Sequence, residues 1–141
     1  PVVEEVPLGQ TADGNVMLFS GDAKTTGSTR FEADKKCLGF WTDLASSATW
    51  EFSVKKGGAF KVEVEYACEE DSSGATIGLS IAGKALEFEA KGTGGWSSFK
   101  KVTLGPIEID SDTKATAMVV AKSKPKYAAI NLRSVRLVKS P

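Results

Sequence analysis

The stretch Phe60-Lys61-Val62-Glu63-Val64-Glu65-Tyr66-Ala67-Cys68 alternates with period two. Positions 60, 62, 64, 66 and 68 are apolar, while Lys61, Glu63 and Glu65 point the other way. In a strand successive side chains face opposite sides, so the pattern predicts a strand with one face buried and one face wet. Similar segments rich in Val, Ile, Phe, Thr and Trp recur at Val16–Ser20, Gly27–Glu32, Leu38–Thr42, Ala48–Val54, Thr76–Ala82, Ala85–Ala90, Phe99–Leu104, Ala115–Ala121 and Ala129–Val138. No convincing amphipathic helix interrupts them. Lys55-Lys56-Gly57-Gly58 predicts a turn, Gly83-Lys84 a tight hairpin of the II′ kind, Glu69–Gly74 an acidic loop and Ser123–Lys126 a basic loop stiffened by Pro125. In the last segment Ile130 and Leu132 share one parity and Val135 and Leu137 the other, which predicts a β-bulge near Arg133-Ser134. About ten short strands at regular spacing point to an all-β fold, a two-sheet antiparallel β-sandwich of jelly-roll type.

A chain of 141 residues fits one domain over 1–141, with enough buried surface to fold without staples. Eighteen basic residues balance eighteen acidic ones, whereas a nucleic-acid binder usually carries a basic excess, so no nucleic-acid partner is expected. No apolar run approaches the roughly 20 residues of a membrane span, so no membrane partner is expected either. Pro1-Val2-Val3-Glu4-Glu5 lacks the basic and apolar regions of a signal peptide, and the chain is read as a processed protein or a piece of a larger one. Histidine is absent. That removes the commonest general base, the Ser-His and Cys-His nucleophile pairs and most zinc sites, so an enzyme is not expected. Cys37 and Cys68 form no metal-spaced motif. Cys68 continues the apolar alternation of its strand as a small hydrophobe, and a Cys37–Cys68 disulfide stays open.

Several residues could meet a ligand. Trp96 follows Gly94-Gly95, a flexible bend that either leaves the indole at a loop tip or starts a strand that packs it inward. A sugar offers an apolar C–H face to an aromatic ring and hydroxyls to polar neighbours, which makes an exposed indole a candidate. Phe40 and Trp41 are adjacent, so one enters the core while the other faces out; parity does not choose between them. Trp50 shares a face with Phe52 and Val54 and belongs to the core. Asn131 points away from the face of Ile130 and Leu132, where its amide can satisfy backbone groups or ligand hydroxyls. Lys122, Lys124 and Lys126 beside Tyr127 make a basic patch, either a solvated loop or a contact for an acidic or sulfated sugar. Paired carboxylates do the work in glycosidases, but the contiguous acids Glu69-Glu70-Asp71 are the pattern of a solvated loop.

Leu38-Gly39-Phe40-Trp41, Tyr66-Ala67-Cys68, Thr93-Gly94-Gly95-Trp96 and Asn131-Leu132-Arg133-Ser134-Val135 together carry a resemblance. Across residues 18 to 138 the chain resembles the family 6 and family 35 carbohydrate-binding modules of the galactose-binding-like β-sandwich group. It is more similar still to the modules appended to secreted sulfatases, fucosidases and other polysaccharide-degrading enzymes. The resemblance implies a non-catalytic, monomeric binder of a polysaccharide or oligosaccharide, secreted or periplasmic, that targets an attached catalytic domain to its glycan. The alternative is a structural domain packed against that neighbour with no glycan ligand. Carried over residue by residue, Trp96 and Phe40, or Trp41 in its place, flank a sugar ring and Asn131 hydrogen-bonds it. Thr42, Asp43 or Tyr127 would line the rim. Related modules often hold a structural calcium ion with acids on the first strand and an acid after the asparagine. Here those places read Phe19-Ser20-Gly21 and Arg133, so no cofactor or metal is expected, and Asp22 is expected to pair with Arg133 instead.

Overall fold

The computed structural model describes residues 8–141; the reading of Pro1–Glu5 as a processed end lies outside them. Among the described residues there are eleven strands: β1 (Val16–Phe19), β2 (Lys24–Thr26), β3 (Arg30–Glu32), β4 (Cys37–Gly39), β5 (Ser47–Val54), β6 (Gly58–Cys68), β7 (Ala75–Ile81), β8 (Lys84–Ala90), β9 (Gly95–Ile109), β10 (Thr113–Ala121) and β11 (Asn131–Lys139). Two antiparallel sheets form the predicted sandwich. One runs β3-β4-β11-β6-β9, with β1 also paired to β11, and the other runs β2-β5-β10-β7-β8.

The alternation does what it predicts in β6, where Phe60, Val62, Val64, Tyr66 and Cys68 all lie in the core. Burying each of these larger apolar side chains stabilises the fold by about 1.5–3 kcal/mol. Trp50 is core as expected, and its indole N–H donates to the Phe19 carbonyl at 2.8 Å, which gives the buried ring's polar edge a partner. The phase change in the last strand is a bulge: the pairing of β11 with β6 shifts between Leu132 and Ser134. The bulge also divides one edge of β11. Leu132 pairs with Leu38 of β4, whereas Ser134 to Leu137 pair with β1.

Some expectations need correction. The strand predicted over 27–32 is confined to Arg30–Glu32, and a turn precedes it, because Gly27 adopts a φ of 74° and a Cβ there would collide with the Ser46 hydroxyl. The strand predicted over 38–42 ends at Gly39, since Phe40 has a φ of 57°. The hairpin between β7 and β8 turns at Ala82-Gly83 rather than Gly83-Lys84. Both residues have positive φ, 51° and 80°, so the turn has the I′ pattern and not II′. Cys37 and Cys68 are free buried thiols, so the open disulfide is not formed.

The two poles of the sandwich differ. At one, the Gln10 side chain accepts from the backbone N–H groups of Lys55 and Lys56, and the Ser140 N–H donates to the Ala59 carbonyl at 2.9 Å. Both ends of the described chain are therefore anchored near the 55–58 turn. The opposite pole carries the start of β11, the ends of β4 and β6 and the start of β9, because Asn131 pairs with Ala67 and Cys68 with Gly95.

Candidate functional site

All five candidate residues lie at this second pole, on the loops 40–46, 91–94 and 122–130 or on the first residues of β9 and β11. Trp96 is half-buried. Gly94 and Gly95, at φ of 110° and 147°, bend the chain through backbone that a side chain rarely adopts. Thr93 is buried beneath that bend: its hydroxyl accepts from Cys68 N–H at 3.0 Å, and its own N–H donates to the Cys68 carbonyl at 2.8 Å. The indole N–H of Trp96 donates to Glu69 Oε2 at 3.0 Å. One acid of the Glu69-Glu70-Asp71 loop thus orients an aromatic ring.

Asn131 is 6% exposed. Its Nδ2 donates to the Trp96 carbonyl at 2.8 Å, which couples the two residues most strongly implied by the resemblance. Phe40 is 44% exposed, and the Arg30 guanidinium lies 4.2 Å from the centre of its ring, a cation–π contact. Trp41 does not face out. It is fully buried at 0% exposure, because the left-handed backbone at Phe40 turns the chain so that residue 41 enters the core. The Trp41 carbonyl accepts from Ala129 N–H at 2.9 Å and ties loop 40–46 to the chain leading into β11. Of the aromatic pair, Phe40 is the one available to a ligand and Trp41 is not.

Thr42 and Asp43 belong to a hydroxyl network. Thr42 N–H and Oγ1 both donate to Ser28 Oγ, at 3.2 and 3.0 Å, and Ser46 Oγ donates to Asp43 Oδ1 at 3.0 Å. The hydrogen bonds from Ser46, and then from Ser28, hold the Asp43 carboxyl below its usual range. Tyr127 is 78% exposed and makes no ring contact or hydrogen bond to the described residues. The basic patch beside it is partly neutralised: Lys122 Nζ sits 3.1 Å from Glu87 Oε2, and Lys124 Nζ donates to the Lys126 carbonyl at 3.3 Å.

The sequence reading missed Arg30 and Glu32. Arg30 pairs with Gly39 and Glu32 with Cys37 across β3 and β4, so two charged side chains reach the face beside Asn131. The signal was present as charged residues alternating around Phe31. The turn at 27–29 that sets their register was not legible.

No family model matches the sequence, and no match is found among the curated proteins. Solved structures do match. A family 35 carbohydrate-binding module from Clostridium thermocellum aligns with a TM-score of 0.73 at 10% identity, over 89% of this chain and 98% of that one. A family 6 module from Cellvibrio mixtus lichenase, in complex with cellotriose, aligns with a TM-score of 0.69 at 16% identity, over 89% and 97%. This chain has the fold of the family 35 and family 6 carbohydrate-binding modules. The Podospora anserina β-1,4-mannanase that carries a family 35 module also matches, with a TM-score of 0.70 at 15% identity. There the alignment covers 92% of this chain and 28% of that protein.

Within that fold, the place where the resemblance implies calcium does not suit a cation. Arg133 occupies it with a guanidinium 3.6 Å from the centre of the Phe99 ring, donating to the Lys35 carbonyl at 2.9 Å and lying 3.9 Å from Glu65 Oε2. The expected partner Asp22 is not among these contacts: the bulge aims Arg133 toward the β3–β4 turn and β6. Among the described residues no three acid or thiol groups gather as a metal would need. A divalent ion requires several anionic oxygens, and here a guanidinium stands beside one carboxylate.

Proposed function

We propose that this chain is a non-catalytic carbohydrate-binding module that keeps an attached polysaccharide-degrading enzyme on its glycan, outside the cell or in the periplasm. The observation that carries the reading is the coupling of Trp96 to Asn131. A half-exposed indole is held by Glu69 at one edge and by Asn131 at its backbone, with the exposed Phe40 ring at the same pole. A ring fixed before the ligand arrives loses little freedom on binding, and its π-face packs on the C–H face of a sugar. Asn131 Oδ1 receives no hydrogen bond from the described residues, so it can accept from a hydroxyl. Tyr127 extends the aromatic surface at the rim. No metal takes part. A sugar gives up a water hydrogen bond for nearly every one it gains, so one module binds with a Kd of roughly micromolar to millimolar.

A glycan array followed by calorimetry tests this. Wild-type protein is expected to bind a set of related oligosaccharides, and Trp96→Ala is expected to abolish the signal with its thermal transition intact. An array without binding, together with Trp96 fluorescence that resists quenching in the longer protein, would instead make this a contact domain buried against its neighbour.

A further inference from the structure

Away from the pole, the outer face of the six-stranded sheet carries a groove, and strand register builds it. Leu18, Val135, Val64 and Val102 pair in one row turned toward the core, so the rows on either side of it face out. Those rows hold Ser134, Glu65 and Lys101, and then Met17, Arg136, Glu63 and Thr103. Ser134 owes its direction to the bulge. Leu132 and Val135 are both in the core, and the two residues between them, Arg133 and Ser134, turn outward together.

Two cavities lie along these rows and share Met17 and Arg136. The larger, about 460 Å³, opens between those two residues and the 11–15 turn, within the roughly 300–1,000 Å³ of small-ligand sites. The smaller, about 40 Å³, is lined by Met17, Glu63, Glu65, Lys101, Ser134 and Arg136. A water molecule's share of the liquid is about 30 Å³, so this socket admits a hydroxyl but not a sugar ring. Ser134 lines the socket at 6% exposure, and its hydroxyl makes no hydrogen bond to the described residues. A covered hydroxyl of that kind calls for a partner. Met17 is 45% exposed and puts an apolar surface at the mouth of the socket.

We propose that this groove is a second carbohydrate-binding site, where a neutral sugar lays an apolar face on Met17 and inserts one hydroxyl beside Ser134. The walls select that chemistry. Arg136 Nη1 donates to Glu63 Oε1 at 3.2 Å, and Arg133 Nη1 lies 3.9 Å from Glu65 Oε2. An ionised carboxylate offers about four lone-pair sites, so each has acceptor capacity left. A hydroxyl can donate to a carboxylate and accept from Ser134 or a cation at once. A sulfate or uronate would press negative charge against two carboxylates, and an ammonium would meet Arg136 and Lys101; both mismatches exclude. The site shares no residue with Trp96, Phe40 and Asn131, so it does not rest on the reading of the pole. With both sites filled, one module would grip two glycan segments and gain by avidity.

Methionine methyl NMR tests this. The chain has two methionines, Met17 and Met118, and Met118 lies in β10 of the other sheet. Protein with labelled methionine methyls and the Trp96→Ala substitution, which disables the pole, is titrated with neutral, uronate and sulfated oligosaccharides. Neutral sugars are expected to shift the Met17 methyl and leave Met118 in place. Ser134→Val fills the socket, and added to Trp96→Ala it should weaken that binding at least about tenfold. If Ser134→Val does not fold, Met17→Ser at an exposed position replaces it, with the same loss expected in calorimetry. A Met17 signal that no neutral sugar moves, equal shifts from neutral and charged sugars, or undiminished binding by the variant would each overturn the assignment. Trp96-dependent binding with a silent Met17 would remove this site and leave the reading of the pole intact. Binding reported by Met17 with one sugar per chain and equal affinity in wild type and Trp96→Ala would do the reverse.

Discussion

Phe40 and Trp41 differ in fate because of one backbone angle. A φ of 57° at Phe40 costs a side-chain-bearing residue about 1–2 kcal/mol relative to right-handed backbone, and it turns the following residue inward. The two alanine variants should separate cleanly. Phe40→Ala is expected to weaken glycan binding at least severalfold in calorimetry with little change in melting temperature. Trp41→Ala empties a fully buried site and should lower unfolding free energy by about 3–5 kcal/mol in denaturant titration. Cys37 offers a second test at this scale. Burial, and then the nearby Glu32 carboxylate, pushes its thiol up to about 12, against about 8.5 in an unfolded chain. The folded state thus holds a proton that the unfolded state releases. The resulting stability is complete below the unfolded value and is lost as pH rises from about 8.5 toward 12. Melting temperature should fall over that alkaline range, and less steeply in Cys37→Ala than in wild type. From the sequence, Trp96 was legible by the glycine pair before it and Asn131 by its parity opposite Ile130 and Leu132, both joined to the resemblance. The choice between Phe40 and Trp41 was not, because no residue type announces a left-handed phenylalanine, and the nearness of Glu32 to Asn131 was hidden because the two lie 99 positions apart.

At the level of elements, the bulge in β11 links sequence to site. The parity change after Leu132 made it legible. Its result, a guanidinium lodged between Phe99, the Lys35 carbonyl and Glu65, depends on strands that meet only in the fold. Arg133 links β11 to β9, to the β3–β4 turn and to β6 through these contacts, and on the reading that no ion is bound neither calcium nor EDTA should move the melting temperature. Arg133→Ala should cost about 2 kcal/mol in urea unfolding, since it removes a cation–π contact and a charged hydrogen bond at once. The β7–β8 hairpin offers the converse, a gain. Its I′ turn places Ala82 at a φ of 51°, where asparagine is favoured before glycine. Ala82→Asn should raise stability by about 0.5 kcal/mol, measured by the same titration.

For the whole molecule, the sandwich was legible because its strands alternate over long runs such as Phe60–Cys68, and each alternation demands a partner face. The pairing order was not. β1 and β11 lie at opposite ends of the sequence yet pair from Val16↔Leu137 to Phe19↔Ser134, and nothing local encodes such a partner. Pairings this distant should make folding slow, in milliseconds to seconds by stopped-flow fluorescence. The two poles of the sandwich have a mechanical consequence. A sugar gripped by Trp96 of β9 and Phe40 after β4, with a tether leaving β11 beside Ser140, would pull β11 lengthwise against its neighbours. Its hydrogen bonds to β6 and β1 lie across that direction, so they would share the load in shear and yield together. Tension between the chain's own two ends would act differently, peeling β1 from β11 one bond at a time from Val16 onward. Loaded between a bound surface and such a leash the domain would be strong, and drawn apart by its own two ends it would be weak.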